Sequence, residues 1–166
     1  MIEIALAGAR AAGRAALIDD SDYELVARRP WWVNEEPSRG YGPYAVTDVK
    51  GARVGMHAFL TGWPLVDHIN RDGLDNQRHN LRQATQAQNL ANRCGNLAST
   101  SPFKGVSWCA PVRRWRARIH QGGREITLGT FASQEDAARA YDAAAIGLFG
   151  EFAYLNFSAP MRRRGP

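Results

Sequence analysis

The run RRWRARIH, residues 113–120, constrains the fold more than any other stretch of the chain. Trp115, Ala117 and Ile119 alternate there with Arg114, Arg116, Arg118 and His120. A β-strand sends successive side chains to opposite faces, so this period of two puts a core on one side and a row of cations on the other. Gly122 and Gly123 supply a hairpin turn, and REITLGTF, residues 124–131, returns as the third strand with Ile126 and Leu128 pointing inward. Ser133 with Asp136 three positions on resembles a capping box. It opens a helix over SQEDAARAYDAAAIGLFG, whose alanines let it lie close on the sheet and which Gly150 ends. The expected unit is a three-stranded antiparallel sheet packed on one helix.

Charge reinforces this reading. Of 21 Lys and Arg and 16 Asp and Glu, ten basic against five acidic residues lie from position 101 onward, leaving eleven of each before it. Residues 103–124 carry Lys104, Arg113, Arg114, Arg116, Arg118 and Arg124 without one acid. A clustered basic face is the electrostatic footprint of a nucleic-acid surface, and a solvated cationic face is the alternative.

The length of 166 residues suits one full-sized domain or two small ones. A cluster of Gly, Ser, Thr, Asn and Pro in RCGNLASTSP, residues 93–102, marks a break. The resulting division is a first module at 1–93, a linker at 94–102, the sheet module at 103–157 and a basic tail at 158–166. No apolar run approaches a membrane span, and the N-terminus lacks a basic head followed by a long apolar core. Cys94 and Cys109 form no C-x-x-C pair and no disulfide framework, which favours a reducing compartment. The expectation is a cytoplasmic protein.

In the first module RAALIDD reads as a strand, DYELVARRP as a brief helix stopped by Pro30, YAVTD as a strand, and VGMHAFLTGW as a short helix ended by Gly62 and Pro64. Then comes VDHINRDGLDNQRHNLR, residues 66–82, crowded with amides, imidazoles and carboxylates that are costly to bury. DGLDN reads as a loop, NLR as a returning strand, and Thr85 to Gln88 as the capping box of a helix over TQAQNLANR. Asn89 lies in the first turns of that helix, four residues before Arg93. The Asp67 carboxylate and the Asn89 side-chain carbonyl are hard oxygen ligands of the kind that suit one Mg²⁺ or Mn²⁺. His68 can take a proton from water attacking phosphorus, and Asn80 can fix its direction. Adjacent strand residues face oppositely, so Asp67 and His68 converge only where the strand ends, twists or bulges. His79 is expected to face solvent.

V-D-H-I-N, the following D-N and N-L-R, and the helix Asn resemble the ββα-metal motif of HNH endonucleases, in the branch common among phage and intron homing enzymes. The resemblance implies His68 as general base, Asp67 and Asn89 as holders of a single divalent ion, and Asn80 as the residue orienting the base. His57, in the lead-in MHAFL, also matches a position of that branch; packing or phosphate contact is its expected use. SPFKGVSW, WRARI, LGTF and the alanine-rich helix ending in LNF are similar to the Apetala-two/ethylene-response-factor type of DNA-binding domain. In that family the sheet enters the major groove. By position, Lys104, Ser107, Arg116, Arg118, His120, Glu125 and Thr127 fall where family contacts fall. Plant members have Arg at Ser107 and Glu125 and Trp near Thr127, so the family's sequence preference does not transfer.

The sequence thus predicts an α+β chain acting on double-stranded DNA: an HNH module, then the sheet module, with Arg93 and Arg114 added to the DNA-facing set. Metal-dependent cleavage is the leading expectation. The alternative is a non-cutting regulator or architectural protein on an HNH scaffold, and the plainest reading is a hydrogen-bonded turn beside a solubility face. Nothing in the sequence sets an oligomeric state.

Overall fold

The computed structural model describes residues 1–36, 41–94 and 99–157. Part of the linker expected at 94–102 and the whole basic tail at 158–166 lie outside the described residues. The chain divides into two compact units, Met1–Gln86 and Ala87–Pro166, each a mixture of short helices and small antiparallel sheets.

In the first unit, β1 (Ile2–Ala5) pairs with β2 (Ala15–Ile18), and the brief helix α1 (Tyr23–Val26) follows. β3 (Trp32–Glu36), β4 (Tyr41–Val49) and β5 (Ala52–Gly55) form a three-stranded sheet in that order. The helix α2 (Met56–Thr61) ends at Gly62, whose φ of 70° is the left-handed conformation that closes a helix. β6 (Val66–His68) and β7 (Leu81–Gln83) make the two-stranded hairpin expected around the polar run. Ile18, Val26, Trp31 and Met56 are the centre of the core, and the Trp31 indole N–H donates to the Val26 carbonyl at 2.9 Å. The strand and helices expected from RAALIDD, DYELV and MHAFL are present; β1, β3 and β5 are additional.

α3 (Gln86–Asn92) begins at the division and belongs almost wholly to the second unit. Its C-terminal carbonyls explain that allegiance: Lys104 Nζ donates to the carbonyls of Leu90, Ala91 and Arg93, and the Tyr154 N–H donates to Ala91 at 3.2 Å. Four unsatisfied carbonyls end every helix, and an ammonium is a good partner for them.

β8 (Val106–Cys109), β9 (Arg114–Gln121) and β10 (Arg124–Phe131) then form an antiparallel sheet with β9 in the middle, packed on α4 (Gln134–Phe149). Ser133 caps α4 by accepting from the Asp136 N–H at 3.0 Å. Ala117, Ala137, Ala138 and Ala145 are fully buried, which is how the helix comes close. Burying Ile119 beside them contributes about 2 kcal/mol. Gly105 has φ of 76°, and a Cβ there would stand 2.1 Å from the Tyr141 ring, so only glycine fits. Ile126 departs from expectation: it is 39% exposed, although the register sets it opposite the buried Ile119.

Candidate nucleic-acid interface and the polar hairpin

The sheet of the second unit realises the alternation in RRWRARIH. Ala117 and Ile119 are buried, Trp115 is half-buried, Arg114 and His120 are exposed, and Arg116 and Arg118 lie half-exposed between them. The cross-strand register sets Ser107 opposite Arg116 and Thr127 opposite Arg118, with Glu125 opposite His120. Arg118 is gripped from both neighbouring strands. Its Nη1 donates to Glu125 Oε2 at 2.9 Å and its Nη2 to Ser107 Oγ at 3.2 Å. Glu125 also stands 3.5 Å from His120 Nε2, and Arg116 Nη2 contacts the Cys109 sulfur. A concavity lined by Ser107, Cys109, Arg116, Arg118 and His120 lies on this face. Five donors per guanidinium leave N–H groups available beyond these bonds.

Lys104 is a correction to the DNA-facing set. An ammonium has three hydrogens, and three carbonyls at the end of α3 accept them, while the Nζ also sits 5.3 Å from the Tyr154 ring centre. The residue is a helix cap. Its signal in the sequence is weak, because the carbonyls it serves lie eleven to fourteen positions away. Arg93 is exposed at the end of α3.

In the first unit the polar run is first of all a well-bonded loop. Asn70 Oδ1 accepts from the Asp72 N–H at 2.8 Å, Asp72 Oδ1 from Leu74 at 3.0 Å, and Asp75 Oδ2 from Asn70 Nδ2 at 2.7 Å. The first two are side chains closing turns on nearby backbone, and the third ties two side chains together. The loop is also stitched to β2, since Leu17 N–H donates to Leu74 O and Asn76 N–H to Leu17 O, both at 2.8 Å. Gly73 allows this path: a Cβ there would come 2.5 Å from the Tyr44 ring. Arg78 adds a long-range tie, donating to the buried Asp22 carboxylate at 2.7 and 3.0 Å.

Asp67 and His68 are both buried, but they look to different partners. Arg82, opposite Asp67 in register, places Nε 2.8 Å and Nη2 2.6 Å from Asp67 Oδ2. His68 instead meets Asn76 Oδ1 at 3.4 Å from its Nε2, the Tyr44 ring at 5.7 Å and the His57 ring at 5.1 Å. The orienting role expected of Asn80 is therefore corrected. Asn80 closes a 3-10 turn ahead of β7, accepting from Asn70 N–H at 2.9 Å and donating to Asp75 O at 2.8 Å. Asn76, fully buried, is the amide beside the imidazole. The D-N doublet was its only signal. Asn89 belongs to the second unit, and His79 is exposed as expected.

Burial governs the two imidazoles. It lowers the pKa of His57 from 6.5 to about 4, with the neighbouring His68 adding to the effect. Burial also lowers His68, against the opposing pull of Asn76 and of the Asp67, Asp72 and Asp75 carboxylates. Both rings are thus neutral near pH 7. His57 Nδ1 is buried without a hydrogen-bond partner among the described residues, and the Tyr44 ring stands edge-on at 5.6 Å from His57.

Asp67 already carries a guanidinium at 2.6 Å, and among the described residues no three His, Cys, Asp or Glu side chains cluster as a metal group. Also among the described residues, no helix is long and apolar enough to cross a membrane.

Comparison with known proteins bears on the second unit most directly. Residues 101–151 match the AP2 domain family, a double-stranded-DNA-binding fold of three strands and a helix. The chain is 32% identical over 159 residues to an AP2-like ethylene-responsive transcription factor of Oryza sativa subsp. japonica, covering 82% of this chain and 25% of that protein. A similar Arabidopsis thaliana factor is 30% identical over 162 residues, covering 82% of this chain and 29% of its own length. This chain therefore spans only about a quarter of the length of the plant proteins it matches. An uncharacterized HNH endonuclease of Acanthamoeba polyphaga mimivirus is 28% identical over 156 residues, covering 89% of this chain and 77% of that one. No solved structure matches the chain.

Proposed function

We propose that the chain is a DNA-binding protein, regulatory or architectural in role, that lays the β8–β10 sheet on double-stranded DNA. One observation carries this reading: within the residues that match the AP2 family, β9 turns Arg114, Arg116, Arg118 and His120 to one face and buries Ala117 and Ile119 on the other. Guanidinium groups set along a strand suit both phosphate oxygens and guanine edges. In this reading the polar hairpin of the first unit is scaffold, in keeping with amides that close their own loop and an Asp67 that Arg82 neutralises.

A second reading is DNA endonuclease of the HNH type. It is favoured by the buried, neutral His68 with Asn76, Tyr44 and His57 around it, and by the similarity to the mimivirus protein over most of both chains. In it His68 is the group that takes the proton from water. Because Asp67 holds Arg82, a Mg²⁺ or Mn²⁺ ion held by Asp67 and Asn89 would require that ion pair to open.

The test is supercoiled plasmid incubated with the full chain, with and without Mg²⁺ or Mn²⁺, alongside gel retardation of a duplex over a salt series. The expected result is retardation that weakens with salt and plasmid that stays supercoiled. Open-circle or linear plasmid that needs the metal and disappears in His68→Ala establishes the second reading. A chain that retards no duplex at low salt and leaves the plasmid supercoiled with either metal ends both.

A further inference from the structure

Between residues 103 and 134 there is a single acidic residue, Glu125, and it sits on the cationic side of the sheet. An acid there opposes phosphate binding, because a carboxylate repels the DNA backbone. Yet the fold gives it specific work. Its Oε2 accepts from Arg118 Nη1 at 2.9 Å, while Ser107 Oγ accepts from Arg118 Nη2 at 3.2 Å on the other flank. The guanidinium is therefore fixed between β8 and β10 with one hydrogen on each terminal nitrogen engaged and one on each left over. Glu125 is 40% exposed at its side chain, Arg118 34%, so both reach the surface that DNA would meet.

The donors and acceptors of DNA decide what such a pair recognises. Phosphate oxygens only accept, so they suit Arg118 and not Glu125. In the major groove the groups that donate are the amino groups of cytosine and adenine, and guanine offers the two acceptors that match an arginine fork. An arginine and a carboxylate held side by side therefore complement a guanine edge beside a cytosine amino group.

Resting on the DNA-binding reading above, we infer that Glu125 is a specificity-determining residue: it fixes the Arg118 fork and turns a carboxylate outward, so that the middle of the sheet reads a G·C pair instead of clamping phosphate. Glu125 does not raise overall affinity in this scheme. It lowers binding to DNA in general and leaves the G·C contact intact, which is selectivity by repulsion of the wrong partner. Ser107 has a supporting part, since its hydroxyl holds the other terminal nitrogen of the same fork.

The experiment is selection of binding sequences from a random duplex library by the full chain. Affinities are then measured for every single-base-pair variant of the selected sequence, with the parent, Glu125→Gln and Arg118→Lys. The parent should prefer G·C at one position by about ten-fold or more. Glu125→Gln should reduce that preference to less than about three-fold while binding random duplex at least as tightly, with other positions unchanged. Arg118→Lys should lose the same position and keep its slope of log affinity against log salt, because a point charge replaces a fork. Circular dichroism of the variants should match the parent, since both side chains reach the surface and neither belongs to the core. A Glu125→Gln chain that keeps the G·C preference, or that loses preference at every position together with affinity, overturns the inference. So does a parent that binds duplex with no sequence preference, although the DNA-binding reading then stands. A parent that binds no duplex overturns that reading too.

Discussion

The polar loop at 69–80 and the strand at 114–120 are both rich in hydrogen-bonding side chains, and they direct them oppositely. In the loop, Asn70, Asp72, Asp75 and Asn80 turn onto nearby backbone, and Asn76 and Asn80 are almost wholly buried. On the strand, Arg116 bonds one side chain and Arg118 two, all on flanking strands, and each guanidinium keeps further hydrogens to give. Amides satisfied by their own loop specify a shape, because a buried polar group left unmet costs about 1–3 kcal/mol. Exposed guanidiniums contribute little to folding and are available to a ligand. The density of polar residues in a sequence therefore does not locate a binding surface; the direction of their bonds does.

That contrast is most sharply tested at Arg82. It is paired with Asp67 where the side chains are 13% and 8% exposed, and truncating it takes the guanidinium away from a buried carboxylate. Arg82→Ala should destabilise the first unit by about 3–5 kcal/mol, read as a lower urea midpoint with an unchanged slope. A loss below about 1 kcal/mol would mean the pair behaves as a surface contact and the scaffold account of the hairpin is wrong.

The next effect is one of pH. His57 has its pKa lowered from 6.5 to about 4 by burial, so it is neutral in the fold and the unfolded chain binds the extra proton. Stability from this group is then complete above pH 6.5 and is lost as pH falls toward 4, by roughly 3 kcal/mol in all. His57→Gln should flatten the unfolding free energy across that window. An unchanged pH profile would show that the acid sensitivity of the fold arises elsewhere. Smaller again is Asn80→Ala, which strands the Asn70 N–H and the Asp75 carbonyl and should cost about 2 kcal/mol with no change in DNA retardation.

The two units were unequally legible. The sheet module could be read because its determinants are local: alternation across β9, Gly122 and Gly123 at the turn, and Ser133 three residues from the N–H it caps. The first unit is built by contacts distant in sequence. β1 is only four residues long and has meaning through β2; Asp22 is defined by Arg78, 56 positions away; Leu17 takes up the loop at Leu74 and Asn76. The hairpin of β6 and β7 was foreseeable from VDH and NLR, but which amide would face His68 was not. Asn80 falls in a turn, a position that spacing cannot separate from the strand it precedes. Asp67 and His68 each look the way strand parity dictates, and it is this parity that sends one to Arg82 and the other to His57.

The smallest folding effect should accompany the largest binding effect, at Arg116. Its guanidinium is half-exposed and touches the Cys109 sulfur, a weak acceptor, so its removal leaves no charge stranded in the core. Arg116→Ala should change the unfolding free energy by no more than about 0.5 kcal/mol. If the sheet lies on DNA and Arg116 meets a phosphate, the same substitution should weaken duplex binding and lower the slope of log affinity against log salt by about one. If Arg116 meets a base edge instead, affinity should fall with the slope kept, and discrimination at one base pair should fall with it. A chain whose affinity, slope and discrimination all survive the loss of Arg116 would carry its arginines for solubility. The opposition between an inward-bonded loop and an outward-facing strand would then describe burial without describing function.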